Sequence, residues 1–416
     1  FTNSAPVDAY RGAGRPENLF LVQRLMDMAA REMGIDAAKM QRRNLVPATA
    51  MPYTNLFGQT YDSGDFHANL DDALKTADWP GFAARKALQR TKGRLSGIGL
   101  ASYVDPCGGN RDQYASLRFS ASGGVQLVIG AQSSGQGHET VFAQIVAERL
   151  GLKITDVRVL QGDSDIVPSG QGSSGSRSLV IGGNAVALAA ERSIGRGRTI
   201  AAGLLETDAE DITFANGAYE IAGTDRRIAF SEVLKASFDA ARVPVNQDLG
   251  LDSRAQPMLR DVTFPNGCHI AEVEIDQDTG QVHLVAYSAV DDFGRVINPM
   301  LVDGQVHGAT AQGIGQALLE NSVFDDASGQ LLSGSFMDYA LPRADDLPAF
   351  TLERNEVPCG SNALGAKGCG ESGTTVSPAA VINAVVDALK EFGVSHLDMP
   401  ATPEKVWRLI HSGIGA

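Results

Sequence analysis

The succession of periodic segments constrains this chain more than any other feature. Residues 16–33 carry Leu21, Leu25, Met28 and Ala29 at helical spacing, with Pro16 suited to a first turn, and a shorter helix follows in "IDAAKMQRRNL". Residues 47–70 read as loop, and 71–90 as a helix interrupted at Trp79-Pro80-Gly81. From about residue 93 the character changes. "LSGIGLASYV", "ASLRFSASGG" and "VQLVIGAQ" read as strands separated by Gly/Ser turns. An amphipathic helix is expected over 137–152, then a strand in "DVRVLQGD", then a long Gly/Ser loop at 162–176 ahead of the helix "GGNAVALAAERS". Asn216-Gly217 and Asp278-Thr279-Gly280 mark hairpin turns. Two helices follow, "PMLVDGQVHGATAQGIGQALLE" and "SPAAVINAVVDALKEFG", the second with Ser377 as N-cap and Pro378 as its first residue; a last helix opens at Thr402-Pro403. Strands and helices do not alternate as a doubly wound sheet requires. The order predicts an α+β architecture, mixed sheets with packed helices.

A chain of 416 residues exceeds what one compact core encloses, and the change of character divides it into 1–92, the end of a first domain, and 93–416, a second. The net charge of −14 argues against a nucleic-acid partner. No apolar run of about 18 residues is present, so no membrane span is expected. Cys107, Cys268, Cys359 and Cys369 form no CxxC pair, which leaves no pattern for a zinc ribbon or an iron–sulfur cluster and suits a cytoplasmic address. The first residue is Phe, and "FTNSAPVDAYRG" reads as mid-domain sequence, so the chain is expected to be part of something longer.

The pattern GxGxxG occurs at 170–175 and at 368–373. A dinucleotide fold needs a strand before it, a helix after it and an acidic residue closing the next strand. "SDIVPS" before the first and "CGSNALGAK" before the second are not strands, and Glu371 would set a negative charge against a pyrophosphate. The loops have the composition of anion cradles all the same, because amides at a helix start bind phosphate without any fingerprint. "AYRGAGRPE" (9–17), "SSGQGHE" (133–139) and "GQGSSGSRS" (170–178) each lead into a helix and carry hydroxyls or arginines, Arg15 and Arg177 foremost. With the Glu371 loop they point to a large polyanionic ligand gripped at several places. His138 reads as a loop histidine bonded to backbone, and Cys369 as a small filler.

These segments, with "VDDFGRVINPMLVDGQVHGATAQGIGQAL" and "GAKGCGESG" in the same order, resemble the molybdenum hydroxylases, the family of xanthine dehydrogenase, aldehyde oxidase and the large subunit of aerobic carbon monoxide dehydrogenase. The resemblance covers essentially the whole chain and implies the C-terminal half of a molybdopterin-binding subunit. It implies a molybdenum ion held by a pterin dithiolene, in the cytosine dinucleotide form, with no side chain as metal ligand. Arg11, Gly12 and Ala13 would lie beside the molybdenum, and Ser174 would approach it. Gly135, Gln136 and Gly137 would grip the pterin and its phosphate. Ser176, Arg177 and Ser178 would hold the dinucleotide end, with Ser173, Lys367 and Gly370 also at the cofactor. Lys367 would orient the base or meet an anionic group. Glu371 would be the general base, taking a proton from the oxygen that attacks an electron-poor carbon, and a carboxylate among glycines suits that task. The family's copper-binding cysteine has no counterpart in "AYRGAGR", which favours an aldehyde or N-heteroaromatic substrate over carbon monoxide. The implied partners are the N-terminal half of the subunit, an iron–sulfur subunit and an FAD subunit. The alternative is a non-catalytic protein that binds or carries the molybdenum cofactor, for which a base at 371 is not required.

Overall fold

The computed structural model describes residues 8–109 and 111–412; the segment 1–7, on which the reading of the chain's start rests, lies outside them. Helix α1 (Arg15–Glu32) opens the described chain with Pro16 in its first turn. Its inward face is not the expected leucine stripe. Leu21 and Leu25 are each 63% exposed, whereas Gln23, Arg24 and Asp27 are buried. Arg24 reaches Asp27 at 2.8 Å and the Asn383 side chain at 2.6 Å, and Gln23 donates to the Ser102 carbonyl at 2.8 Å. These polar groups satisfy one another, which lets a polar face go inside. After α2 (Ala37–Asn44), α3 (Phe66–Thr76) starts earlier than expected because the Asp65 carboxylate accepts from the Ala68 amide at 3.0 Å and caps it. The Trp79-Pro80-Gly81 break stands between α3 and α4 (Phe82–Arg90), as expected.

Two four-stranded sheets follow. Among the strands used here are β1 (Arg94–Val104), β2 (Ala115–Phe119), β3 (Val125–Ile129), β4 (Val157–Leu160), β5 (Ser253–Ala255), β6 (Asn266–Asp276), β7 (Val282–Asp292) and β8 (Phe350–Arg354). The first sheet has the order β8-β7-β6-β1, in which the β6–β7 hairpin turns where Asp278-Thr279-Gly280 predicted and β8 joins in parallel. The second has the order β5-β2-β3-β4. Strands of both signs of pairing within each sheet give the mixed α+β architecture expected.

Each sheet organises its own core. Helices α8 (Pro299–Leu318) and α9 (Ser372–Leu389) cover the first sheet, and α3 and α4 lie with a smaller cluster around Ile98, Leu100 and Ile270. Helix α9 is buried almost all round, as its run of Val, Ile and Ala requires. Burying each of Val381, Ile382, Val385 and Val386 contributes roughly 1.5–3 kcal/mol. Gly99 of β1 explains how α9 comes so close: a Cβ there would stand 2.2 Å from the Ala384 amide nitrogen and 2.4 Å from the Ala380 carbonyl oxygen. The second sheet packs on α5 (His138–Leu150) and α6 (Asn184–Leu205), with α7 (Phe230–Ala236) at its side. Helix α9 begins at Ser372, not at Ser377. Ser377 donates to the Thr310 carbonyl at 3.3 Å, and Pro378 sits inside the helix. The Ser-Pro signal is local, but the real start is set by the loop that carries Glu371.

Candidate active site

Helices α1, α5 and α9 all begin at one cleft, and α6 reaches it through the π-helical turn Ser178–Gly183. Helix starts bring unpaired amides and positive potential, so their convergence makes an anion-binding wall. The cleft has a volume of ≈ 560 Å³. Tyr10, Arg11, Gln136, Ser174, Arg177 and Glu371 are among its lining residues.

Glu371 is 8% exposed and occupies the residue before α9, yet its carboxylate does not cap that helix. It turns to three other donors. Oε1 accepts from the Gly12 amide at 2.9 Å, and Oε2 accepts from Arg15 Nη2 at 3.0 Å and from Ser176 Oγ at 2.8 Å. The loop before α1 is folded tightly enough to deliver these donors. Gly12 has φ +104°, and a Cβ on it would stand 2.5 Å from Pro16 Cγ, so this position admits only glycine without displacement. Ala13 follows at φ +48°. Arg11 clasps the same loop from the other side: Nε donates to the Gly370 carbonyl at 2.5 Å, Nη1 to Gln312 at 3.1 Å and Nη2 to Gln305 at 2.9 Å. Burial lowers the Arg11 pKa from its ordinary value.

Arg15 is held from behind. Its Nη1 donates to the Pro106 carbonyl at 2.8 Å, and Nε lies 2.7 Å from Asp105 Oδ1. Burial acts to lower the Arg15 pKa, but Asp105 and Glu371 outweigh it and raise the value. Burial pushes the Asp105 carboxyl up to about 6 against the opposing pull of Arg15. Burial pushes the Cys369 thiol up to about 12.

At the other end of the cleft, Gln136 Nε2 donates to Ser173 Oγ at 3.1 Å, and the Ser173 and Ser178 hydroxyls meet at 2.9 Å. Gly135 and Gly137, both at positive φ, turn the chain into α5. Among the described residues, the amides of Gly172 through Arg177 donate to no protein acceptor, and Arg177 has no carboxylate partner. The Arg177 pKa is lowered by burial and then by the nearby charge of Arg111. A row of unclaimed amides, serine hydroxyls and an arginine repelled by another arginine is a donor set that a phosphate-bearing ligand completes. The residues present therefore fit the pterin nucleotide that the resemblance implies.

The structure brings Arg11, Gly12, Ala13, Ser174, Ser176, Gly370 and Glu371 together, with Gln136, Ser173, Arg177 and Ser178 further along the same cleft. Some expectations change. Ser176, expected at the dinucleotide end, has a left-handed backbone, φ +50°, that turns its hydroxyl onto Glu371. Lys367 pairs inside the protein. Its side chain is fully buried, 2.6 Å from Asp292 Oδ2 and 3.3 Å from the Ser63 carbonyl. Arg15, read as an anion binder, serves two protein carboxylates instead. His138 is the first residue of α5 rather than a loop residue, and its ring meets the Gln161 side chain at 3.3 Å. Asp105 was missed; its only trace in the sequence is an acid followed by Pro at the end of the long strand β1. Neither GxGxxG stands between a strand and a helix: only an isolated bridge, Gly294 to Ala366, precedes the second.

Two models of molybdopterin cofactor-binding domains match the chain, one over residues 1–45 and the other over 72–348. The 6-hydroxypseudooxynicotine dehydrogenase complex subunit gamma of Paenarthrobacter nicotinovorans is 35% identical over 415 residues, covering 98% of this chain and 52% of that protein. The carbon monoxide dehydrogenase large chain of Hydrogenophaga pseudoflava is 33% identical over 425 residues, with 98% and 53% covered. Among solved structures, quinoline 2-oxidoreductase from Pseudomonas putida 86 superposes with a TM-score of 0.93 at 35% identity, over 98% of this chain and 53% of that one. The chain thus spans about half the length of the relatives it matches. The cleft, its donor set and these likenesses agree, and the chain belongs to the molybdenum hydroxylase family, as part of the molybdopterin-binding subunit.

Proposed function

We propose that this chain supplies the cofactor cradle and the general base of a molybdenum hydroxylase that oxidises an aldehyde or N-heteroaromatic carbon with oxygen from water. The observation that carries the reading is the three-donor grip on a carboxylate that leaves its own helix uncapped. A protein that only binds or carries the cofactor has no need to aim a carboxylate in this way.

The molybdenum–pterin group, when bound, supplies the oxygen-transfer and two-electron chemistry. The amides of residues 172–177, the Ser173 and Ser178 hydroxyls and the Arg177 guanidinium would hold its anionic end, supported by Gln136 and the turn at Gly135 and Gly137. The Arg11-Gly12-Ala13 loop and Ser174 would border the metal end. Cytosine as the nucleotide base remains part of this proposal. Glu371 Oε2 is occupied by two donors, while Oε1 accepts only the Gly12 amide. A carboxylate oxygen has two acceptor positions, so the proton released on oxygen transfer goes to Oε1. Arg15 and Ser176 keep the carboxyl plane fixed as that proton arrives. The net change adds a water oxygen to carbon and releases two protons and two electrons. The electrons would leave through iron–sulfur and FAD partner subunits.

The Arg11-to-Arg15 loop has glycine and alanine at its tip and no cysteine, which supports an organic substrate over carbon monoxide. The exposed Leu21, Val22 and Leu25 of α1 form an apolar stripe that supports the N-terminal half of the same subunit as its cover. No helix of the described residues is long and apolar enough to cross a membrane, and the four cysteines are free, which supports a cytoplasmic address. The test is Glu371→Gln in the assembled complex. Loss of the base is expected to lower kcat by about 10²–10⁴ with normal molybdenum content. Turnover within a few-fold of the parent would sink the assignment.

A further inference from the structure

We propose that Asp105 is a positioning residue for the base: it fixes the Arg15 guanidinium, and through it the Glu371 carboxylate. The inference rests on the general-base reading of Glu371.

The geometry is that of a guanidinium held between two carboxylates. Arg15 Nη2 donates to Glu371 Oε2 at 3.0 Å, while Nε stands 2.7 Å from Asp105 Oδ1 and Nη1 donates to the Pro106 carbonyl at 2.8 Å. An arginine that faced Glu371 alone could pivot about its long side chain. The contacts on its far edge restrain that freedom: Nη1 is aimed at the Pro106 carbonyl, and the Asp105 carboxylate holds the Nε edge by charge at short range. Asp105 is in turn immobile. Its side chain is fully buried at the end of β1, and its own amide donates to the Pro265 carbonyl at 2.9 Å.

The arrangement is poor as a stabilising device. The contact between Arg15 Nε and Asp105 Oδ1 is a charge contact without hydrogen-bond alignment, so both buried atoms lack an aligned partner. Cys107 Sγ is the only other side-chain atom bonded to this carboxylate among the described residues, at 3.4 Å. Burial raises the Asp105 pKa despite the arginine. A buried carboxylate that is under-bonded and resists ionising is costly to keep for packing alone. Its place directly behind the arginine that grips the base gives it a task that packing does not.

The test uses Asp105→Asn and Asp105→Ala in the assembled complex, with Glu371→Gln alongside, and a crystal structure of each Asp105 variant. In Asp105→Ala the Arg15 guanidinium should move off Glu371 Oε2 and kcat should fall about 10- to 100-fold, with KM changed by less than about two-fold. Asp105→Asn keeps an acceptor facing Arg15 and should fall between parent and Ala. It also serves if the Ala variant does not fold. If Arg15 stays in place in the variant structures, or kcat holds within two-fold while Glu371→Gln is inactive, the positioning role is wrong and the base assignment stands. If Glu371→Gln is active, the base assignment fails instead, and the Arg15 position in the maps still decides whether Asp105 sets it.

Discussion

Replacing Lys367 by Met should be among the most damaging single changes in this chain, because its side chain is wholly buried against Asp292. Lys367 Nζ lies 2.6 Å from Asp292 Oδ2, and both side chains are fully buried. Asp292 also accepts from the Gly294 amide at 2.8 Å, the Val357 amide at 3.1 Å and Asn266 Nδ2 at 3.1 Å. The methionine would fill most of the lysine's volume, so little of the effect comes from a cavity. What remains is a buried carboxyl group that has lost its lysine and faces three neutral donors in the core. Leaving one partner of a buried pair uncompensated costs about 3–5 kcal/mol, whereas removing both together is often near neutral. Lys367→Met should therefore lose about 3–5 kcal/mol in urea unfolding, and Lys367→Met with Asp292→Asn should recover at least half of that loss. The control is essential, because unfolding of a chain this size need not be two-state, and the comparison holds only if the m-value is unchanged. A single variant that loses less than about 1 kcal/mol would refute the reasoning, as would a double variant no better than the single one. Because Lys367 also ties the loop ahead of Glu371 to β7, the single variant should lose activity in proportion to the open state and not through a changed KM.

Two further changes test the energetics elsewhere. Asp105 holds its proton more tightly when folded, with a value of about 6 against the ordinary 3.8, because burial opposes the charge. The native state binds the extra proton between those values, so this residue's contribution falls as pH rises through the window and is a standing cost above it. Asp105→Asn should then gain roughly 3 kcal/mol at pH 7.5, shrinking towards zero near pH 4; thermal scans across that range check it, and a flat difference would be the contrary result. Gly99→Ala puts a methyl group 2.2 Å from the Ala384 amide nitrogen, where only backbone can yield, and should cost more than about 3 kcal/mol in denaturant titration.

The sequence made the hairpins, the interrupted helix at 79–81 and the mixed architecture legible, because turn chemistry and periodicity are local signals. Local signals also misled where tertiary contacts prevailed. The Leu21 and Leu25 stripe points outward because Gln23, Arg24 and Asp27 find hydrogen-bond partners inside, on Ser102, Asn383 and one another. The Ser377-Pro378 start is overruled because α9 begins where the Glu371 loop must hand its carboxylate to another segment. In the site, the glycine and serine loops and Glu371 were readable as segments that meet, since the order of motifs carries that much, and the structure lines one cleft with them. The pairing of Glu371 with Arg15 and Ser176 was not, because residues 356 and 195 positions apart leave no mark of contact in one sequence.

That separation has a physical consequence for how the site comes to exist. The Glu371 carboxylate sits at the start of a helix in the first sheet's core, one donor comes from the loop ahead of α6 in the second, and two more come from the turn before α1 and from its first residue. No single core can form the arrangement alone. Arg11, Gly12 and Arg15 all bond residues 370 and 371, so five consecutive positions near the front of the chain determine the base's geometry. The glycine in that turn admits no side chain because Pro16, which starts α1, occupies the space. Helix initiation and base orientation are therefore the same structural event. Any change that relaxes the α1 start should loosen the carboxylate before it measurably destabilises either core, and that is why stability and turnover should part company first in this loop.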